Sequence, residues 1–157
     1  PGEVDGAFHT SVVNLLVHSR TRVTTAPHLG GDRWSADKLT AIAGDALEGC
    51  FYSEHFSPED PNPAIASFTR KYAAKFNGRT PDGMAALGYD ACKLLADAMT
   101  RAPSLDGHDL AAAIAATRDF EGVTGTFTIN EQRNAVKPAV ILKVKDGKPR
   151  YEATITP

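Results

Sequence analysis

One stretch of the sequence combines residue types that could bind a ligand: Gly30-Gly31-Asp32, followed by Arg33 and Trp34. The two glycines lack side chains at a point where the backbone must turn and where another molecule could approach closely. A carboxylate that follows a strand lies where open α/β sheets place their ligands, outside the carboxyl end of the strand. The alternative is a turn with a solvated acid, and Gly-Gly-Asp alone is a weak signal.

The other candidates for chemistry do not assemble into a catalytic or metal site. Ser53, Glu54 and His55 are consecutive, but alternation along a strand would place Glu54 on the opposite face from the other two. The five histidines lack the i, i+4 spacing of a metal site on one helix. Cys50 and Cys92 lack CxxC spacing, so buried free thiols are expected, with a disulfide left open. The sequence predicts no enzyme, no metal and no cofactor.

The composition is that of a folded domain without a strongly charged partner. The chain has 157 residues, of which 42% are hydrophobic and 23% charged, with a net charge of −2. This charge gives no general attraction to nucleic acid, so no nucleic-acid partner is expected. No apolar run approaches the roughly 18 residues of a membrane span. The chain shows neither a signal peptide nor a starting Met, so this part of the sequence does not indicate a compartment.

The elements around the glycine turn are predicted from capping residues and apolar spacing. Residues 26–29 indicate a short strand that leads into the turn. Ser35 can cap a helix over about 36–43, and a strand over 47–56 is expected to follow it. The apolar cluster over 12–17 fits either a short helix or a strand, so the beginning of the chain stays open.

Three helices are predicted next. Asn62 and Pro63 fit the N-cap and first position of a helix that ends near Gly78. A longer helix begins at Pro81-Asp82 and ends near Arg101, and a third covers about 107–117, burying Leu110 and Ile114. The buried face of the longer helix is expected to consist of Leu87, Ala91, Leu94, Leu95 and Ala98.

After Phe120 the apolar period changes from helical to strand-like. Strands are predicted over 125–129, 139–145 and 151–155, and Asp146-Gly147 marks a hairpin turn between the last two.

These stretches together resemble a known family. Residues 26–157 closely resemble the C-terminal part of periplasmic branched-chain amino-acid binding proteins, the leucine/isoleucine/valine-binding subunits of ABC importers. The matching stretches are GGDRWSADKL at 30–39, IAGDALEG at 42–49, FYSEHFSPEDPNPAIASF at 51–68, AALGYDACKLLADAM at 85–99, AAIAATRDFEGVTGTFTIN at 112–130 and VKPAVILKVKDGK at 136–148.

The resemblance implies the α/β class. The expected fold is a three-layer, Rossmann-like clamp of two lobes joined by three crossover segments, here partial and with a C-terminal β-hairpin. Residues 1–48 would be a remnant of the second lobe, 49–122 the C-terminal part of the first lobe, and 123–157 a crossover with the hairpin. Within these, 47–56 would be the second crossover and 122–129 the third. The ligand would lie between the lobes, and closure would present it to a membrane permease.

The resemblance also assigns ligand-binding roles. Asp32 matches the acid that holds the ligand's α-ammonium, and a desolvated ammonium needs a paired anion. Met84, with Ala85 beside it, matches the side-chain pocket, and Trp34 fits either a pocket wall or a packing residue. The ligand would be a branched-chain or related amino acid or an amide. The implied partner is the ABC permease, through the parent protein, in the periplasm or outside the cell. The alternative is a ligand-sensing domain of a receptor or regulator.

The beginning of the chain departs from the family pattern. Pro1-Gly2 is followed by 3–6 without the family's tyrosine, and the family's long helix is not recognisable over 3–22. The first lobe's carboxylate-binding groups are absent, so we expect the chain to be a fragment, from a partial product or a damaged reading frame. Because enclosure between lobes supplies much of the affinity, this chain alone is expected to bind leucine-type ligands weakly or not at all.

Overall fold

The computed structural model describes residues 2–22, 26–35 and 42–157. They form two compact units, and the chain passes from one unit to the other after Glu54, Val140 and Ala153. We call them unit 1 (residues 1–54 and 141–153) and unit 2 (residues 55–140 and 154–157). None of the helices described in these ranges is both long and apolar enough to span a bilayer.

Unit 1 is built on parallel strands. Helix α1 (Gly2–Arg22) precedes strand β1 (Leu29–Gly30), and β2 (Phe51–Glu54) pairs with β1 in parallel, with Gly30 opposite Tyr52. Two 3-10 helices, Asp32–Ser35 and Gly44–Leu47, lie between the two strands in the chain. The side chains of Leu16, Leu47 and Cys50 are fully buried.

A hairpin completes the four-stranded sheet, whose strand order is β1-β2-β6-β7. Strands β6 (Ala139–Lys145) and β7 (Lys148–Ile155) are joined by Asp146 and Gly147, with φ of 52° and 67°. Two consecutive positive φ angles suit a tight hairpin, which explains the Asp-Gly pair. The Glu48 carboxylate accepts hydrogen bonds from both turn amides, at 3.1 and 3.2 Å. The predicted hairpin is confirmed.

Unit 2 consists of three capped helices and a small sheet. Helices α2 (Pro63–Lys75), α3 (Gly83–Arg101) and α4 (Gly107–Ala115) precede the antiparallel strands β3 (Phe120–Gly122), β4 (Gly125–Ile129) and β5 (Ala135–Val136). At the start of each helix, a side-chain oxygen accepts a hydrogen bond from a backbone N–H group. The accepting residues are Asn62, Asp82 and Asp106. The predicted starts of α2 and α3 are confirmed.

The core of unit 2 lies where α2 and α3 meet the turn after β3. It contains Phe56, Ile65, Phe68, Ala86 and Val123. The Phe56 and Phe68 rings meet edge to face with centroids 5.8 Å apart. This arrangement adds a directional attraction to the burial of both rings.

Several expectations are wrong. Residues 3–22 do form a long helix, and its residues Val13 and Leu16 are buried. This helix was not predicted from the sequence because Gly6 and several β-branched residues weaken the local helix preference. The strand expected over 47–56 is only Phe51–Glu54, because Leu47 belongs to a 3-10 helix. The helix expected over about 36–43 falls mostly on 36–41, outside the described residues.

The predicted burial along α3 and α4 is also partly wrong. On α3, Ala98 is buried as expected, but Ala91 and Leu95 are exposed, and the other buried residues are Ala86 and Asp90. On α4, Leu110 and Ile114 are half-buried, and Ala113 is buried instead. Both cysteines are free thiols, but only Cys50 is buried, whereas Cys92 is exposed on α3.

Candidate functional site

Asp32 lies immediately beyond the carboxyl end of strand β1. The strand ends at Gly30, and the chain turns at Gly31 into the 3-10 helix that Asp32 begins. The Trp34 amide donates a hydrogen bond of 3.0 Å to the Gly31 carbonyl and closes this turn. Asp32 is exposed. Because β1 pairs in parallel with β2, the carboxylate lies at the sheet edge where α/β folds bind ligands.

Trp34 is packed against the glycine turn. It is 9% exposed, and a Cβ atom built on Gly30 would lie 2.1 Å from its Cδ2 atom. Any side chain at position 30 would therefore displace the indole ring. Asp32 and Trp34 lie together in one turn of 3-10 helix in unit 1.

Met84 and Ala85 lie together in unit 2, in the first turn of α3. Met84 is 67% exposed, as an apolar contact surface for a ligand would require. The Ala85 amide is held by the Asp82 cap at 2.7 Å. Ala85 also lines a cavity of about 530 Å³ between α2 and α3, whose walls include Phe68, Tyr72, Phe76, Gly88, Tyr89 and Cys92.

A second acidic residue was missed by the sequence analysis. Asp90 on α3 is 3% exposed, and its Oδ1 atom accepts a hydrogen bond of 2.8 Å from the Val123 amide. Its Oδ2 atom accepts hydrogen bonds from the amide and the hydroxyl of Thr124, both at 2.8 Å. The carboxylate thus fixes the turn between β3 and β4. An acid within the otherwise uncharged run 83–92 was the available signal.

A polar cluster in unit 1 was also missed. The hydroxyl of Ser19 lies 2.7 Å from His28 Nε2, and the Cys50 thiol lies 3.9 Å from His28 Nδ1. Arg20 donates to the carbonyls of Ala46 and Glu48, at 3.3 and 2.7 Å. Cys50 is fully buried, so no substrate can reach its sulfur atom. We interpret the cluster as a structural one, whose hydrogen bonds hold α1 against the segment that leads into β2.

A comparison with known protein families identifies the family of this chain. A sequence model of the family described as "Periplasmic binding protein" matches residues 24–149. The chain belongs to the periplasmic binding protein family. The resemblance seen in the sequence is therefore confirmed, and with it the α/β fold class. The family is one of solute-binding proteins and not one of enzymes.

Named relatives place the chain near one branch of periplasmic binding proteins. The leucine-binding protein LivK of Thermotoga maritima is 35% identical, with a TM-score of 0.82 over 95% of this chain and 43% of that one. The Leu/Ile/Val-binding protein homolog 1 of Brucella abortus is 27% identical over 93% of this chain and 40% of its own length. The branched-chain amino acid substrate-binding protein LivJ of Streptococcus pneumoniae, in complex with isoleucine, is 27% identical. Its TM-score is 0.73, over 93% of this chain and 41% of LivJ.

These comparisons also fix the extent of the match. The chain spans about two fifths of the length of the relatives it matches. More than nine tenths of this chain is aligned in each of the three, so most of the region before Gly30 is aligned as well. The match therefore extends beyond the resemblance over 26–157, towards the beginning of the chain.

Proposed function

We propose that this chain is part of the substrate-binding protein of an ABC importer for branched-chain or related amino acids. Its named relatives are Leu/Ile/Val-binding and leucine-binding proteins, and one of them holds isoleucine. The observation that carries the proposal is the exposed Asp32 carboxylate, set beyond a Gly-Gly turn at the carboxyl end of a parallel strand. That position and that charge suit the α-ammonium of an amino acid.

Each candidate residue then has a physical task. Asp32 pairs with the ligand's ammonium, which would otherwise be buried without a counter-charge. Met84 and Ala85 supply apolar surface for an aliphatic side chain, and Trp34 supports the turn that holds Asp32. The protein releases its ligand unchanged to a membrane permease, in the periplasm or outside the cell, and has neither catalytic activity nor a nucleic-acid partner.

The division of the chain between lobes is part of the proposal. We assign residues 1–48 to the second lobe, 49–122 to the first lobe, and 123–157 to a crossover with the hairpin. Enclosure between complete lobes supplies most of a ligand's buried surface. Isothermal calorimetry of the 157-residue chain with leucine, isoleucine and valine is therefore expected to show weak binding or none.

A chimera tests the site itself. In it, this chain replaces the matching 43% of the Thermotoga maritima leucine-binding protein. Leucine binding should be restored, and Asp32→Asn should weaken it about 10- to 100-fold, because a hydrogen bond to a charged group contributes about 1.5–3 kcal/mol. Asp45→Asn is the matched control, since Asp45 is an exposed acid of the other 3-10 helix in unit 1.

Two results would contradict the proposal. Micromolar or tighter leucine binding by the chain alone would show that enclosure by further chain is unnecessary. Equal leucine affinities of the Asp32→Asn and Asp45→Asn chimeras would remove Asp32 from the site. Far-UV circular dichroism and a cooperative thermal transition show that each chimera has folded before it is titrated.

A further inference from the structure

A groove of about 400 Å³ lies in unit 2, between α4 and the end of strand β4. We call it the α4 groove. Its volume is within the range of pockets that hold small molecules. It shares no residue with the candidate amino-acid site, which consists of Asp32, Trp34, Met84 and Ala85.

The floor of the α4 groove is apolar because of the spacing of small residues along the helix. Three alanines follow His108 at i+3, i+4 and i+7, so they share one face of α4 with it. This face is about 11 Å long at 1.5 Å per residue. The apolar lining consists of Ala111, Ala112, Ile114, Ala115 and Ile129.

Two nitrogen-bearing side chains, His108 and Arg133, line the same groove. His108 lies in the first turn of α4, where the helix dipole is positive. Within the described part of the chain, neither the imidazole nor the guanidinium has a hydrogen-bond or ion-pair partner. No described acidic residue lines the groove, since Asp106 caps α4 and Asp109 accepts a hydrogen bond from Ser104. The groove therefore combines an apolar floor with two donors that are not used within the fold.

The turn between β4 and β5 fixes the backbone that carries Arg133. The Arg133 amide donates a hydrogen bond of 2.9 Å to the Asn130 carbonyl, and the Asn130 side chain accepts one of 2.9 Å from the Asn134 amide. Arg133 has a φ of 64°, in the left-handed region that residues with a side chain seldom adopt. Glycine would suit this backbone better, so the turn itself does not explain the arginine. Backbone strain of this kind is concentrated at functional sites.

We propose that the α4 groove is a second binding site, for a small organic anion whose apolar body covers the alanines and whose carboxylate pairs with Arg133. A guanidinium can bind a carboxylate through two parallel hydrogen bonds, and the His108 imidazole is a further donor. The attraction is local, because the net charge of the chain is −2 and its overall field does not favour anions. The site is independent of the proposed amino-acid site, and its ligand needs no ammonium group.

Octanoate is a suitable probe, because it joins a carboxylate to an apolar chain. Isothermal calorimetry of the 157-residue chain should show binding of octanoate at one site. Octylamine carries the opposite charge, and acetate lacks the apolar chain. Both should bind at least about tenfold more weakly, because each loses either the charge-assisted hydrogen bonds or the apolar contact.

Arg133→Gly separates binding from folding. It removes the cation and relieves the left-handed backbone, so octanoate should bind at least about tenfold more weakly while the midpoint of thermal unfolding does not fall. Arg79→Gly is the matched control, because it removes the same charge at an exposed position of unit 2 outside the groove. This control should keep the octanoate affinity of the parent chain.

A second pair of substitutions tests the apolar floor. Ala112→Glu places a carboxylate in the α4 groove, which should repel octanoate and abolish its binding. Ala74→Glu makes the same change at an exposed position of α2 and should have no effect on octanoate binding. Circular dichroism of both variants shows that each has folded before it is titrated.

The chimera described above keeps this proposal separate from that of the amino-acid site. Saturation of the chimera with leucine should leave its octanoate affinity unchanged, and Arg133→Gly should leave its leucine affinity unchanged. Asp32→Asn should weaken leucine binding without affecting octanoate. Either site can therefore be disproved while the other stands.

Four results would overturn the proposal. The first is no octanoate binding by the 157-residue chain, and the second is equal octanoate affinity of Arg133→Gly and Arg79→Gly. The third is loss of octanoate binding in the chimera, because further polypeptide would then cover the groove. The fourth is co-sedimentation of the chain with phosphatidylglycerol vesicles that Arg133→Gly abolishes, since the occupant would then be an anionic membrane surface.

Discussion

The regions around Asp32 and Asp90 use a glycine and an aspartate in opposite ways. In unit 1, the space beside Gly30 is filled by the Trp34 ring, and the Asp32 carboxylate is left at the surface. In unit 2, the space beside Gly122 is filled by the carboxylate itself, since a Cβ atom there would lie 2.5 Å from Asp90 Oδ2. One arrangement presents a charge, and the other buries one.

The two acids differ in burial and in what Asp90 is known to contact. Asp90 accepts three hydrogen bonds from Val123 and Thr124, so its acceptor sites are used within the fold. A buried carboxylate is tolerated only with such donors, which makes it structural. Asp32 stands at an exposed sheet edge, where an incoming ammonium can reach it. Burial therefore distinguishes the two acids, although they are identical in type: Asp90 is structural, and the exposure of Asp32 is what its proposed role in ligand binding requires.

The largest effect is expected for Asp90→Ala. The substitution leaves two backbone amides and a hydroxyl buried without acceptors, so the free energy of unfolding should fall by about 3–5 kcal/mol. Urea denaturation followed by circular dichroism measures this loss. Asp97→Ala on the same helix is the control, because the pair of Asp97 with Arg101 is well exposed and contributes at most about 1 kcal/mol. Equal losses for the two variants would mean that the buried carboxylate does not hold the turn.

A smaller effect is expected in unit 1, for Gly30→Ala. The new methyl group would meet the Trp34 ring, and overpacking of this kind costs about 1–3 kcal/mol. Trp34 is the single tryptophan of the chain, so its fluorescence should shift to longer wavelength as the ring leaves its buried position.

Gly31→Ala is the matched control for this substitution. A Cβ atom at position 31 meets no atom within 4 Å, and its backbone is not in the left-handed region. This variant should therefore stay within about 0.5 kcal/mol of the parent and keep its emission maximum. An unchanged emission maximum in Gly30→Ala would show that the Trp34 ring is not held against the glycine.

Local chemistry made several elements predictable from the sequence. Asn62 and Asp82 cap α2 and α3 as expected, because an N-cap depends only on residues within one turn. The hairpin at Asp146-Gly147 is equally local, since two positive φ angles select those residue types. The strand predicted over 26–29 is shorter and lies later, at Leu29–Gly30, and the turn that follows it positions Asp32.

The errors arise where the outcome depends on distant residues. The predicted inner face of α3 included Ala91 and Leu95, which instead lie exposed beside buried Ala86 and Asp90. The helix is apolar over so wide an arc that its sequence does not define which side faces the core. The structural role of the Asp90 carboxylate could not be predicted either, because its hydrogen-bond donors lie 33 and 34 residues further along the chain.

The smallest effect on stability is expected for Asp32→Asn, and this substitution sharpens the comparison most. Because Asp32 is exposed, its interactions within the chain are solvent-screened, and its substitution should change the free energy of unfolding by less than about 1 kcal/mol. Asp90→Asn, the same chemical change, places an amide donor against backbone donors and should cost about 2–3 kcal/mol. Urea titrations of the two variants, run beside the parent chain, measure the difference directly. A loss at Asp32→Asn as large as that at Asp90→Asn would make Asp32 a structural acid, and the leucine affinity of its chimera would then report folding rather than binding.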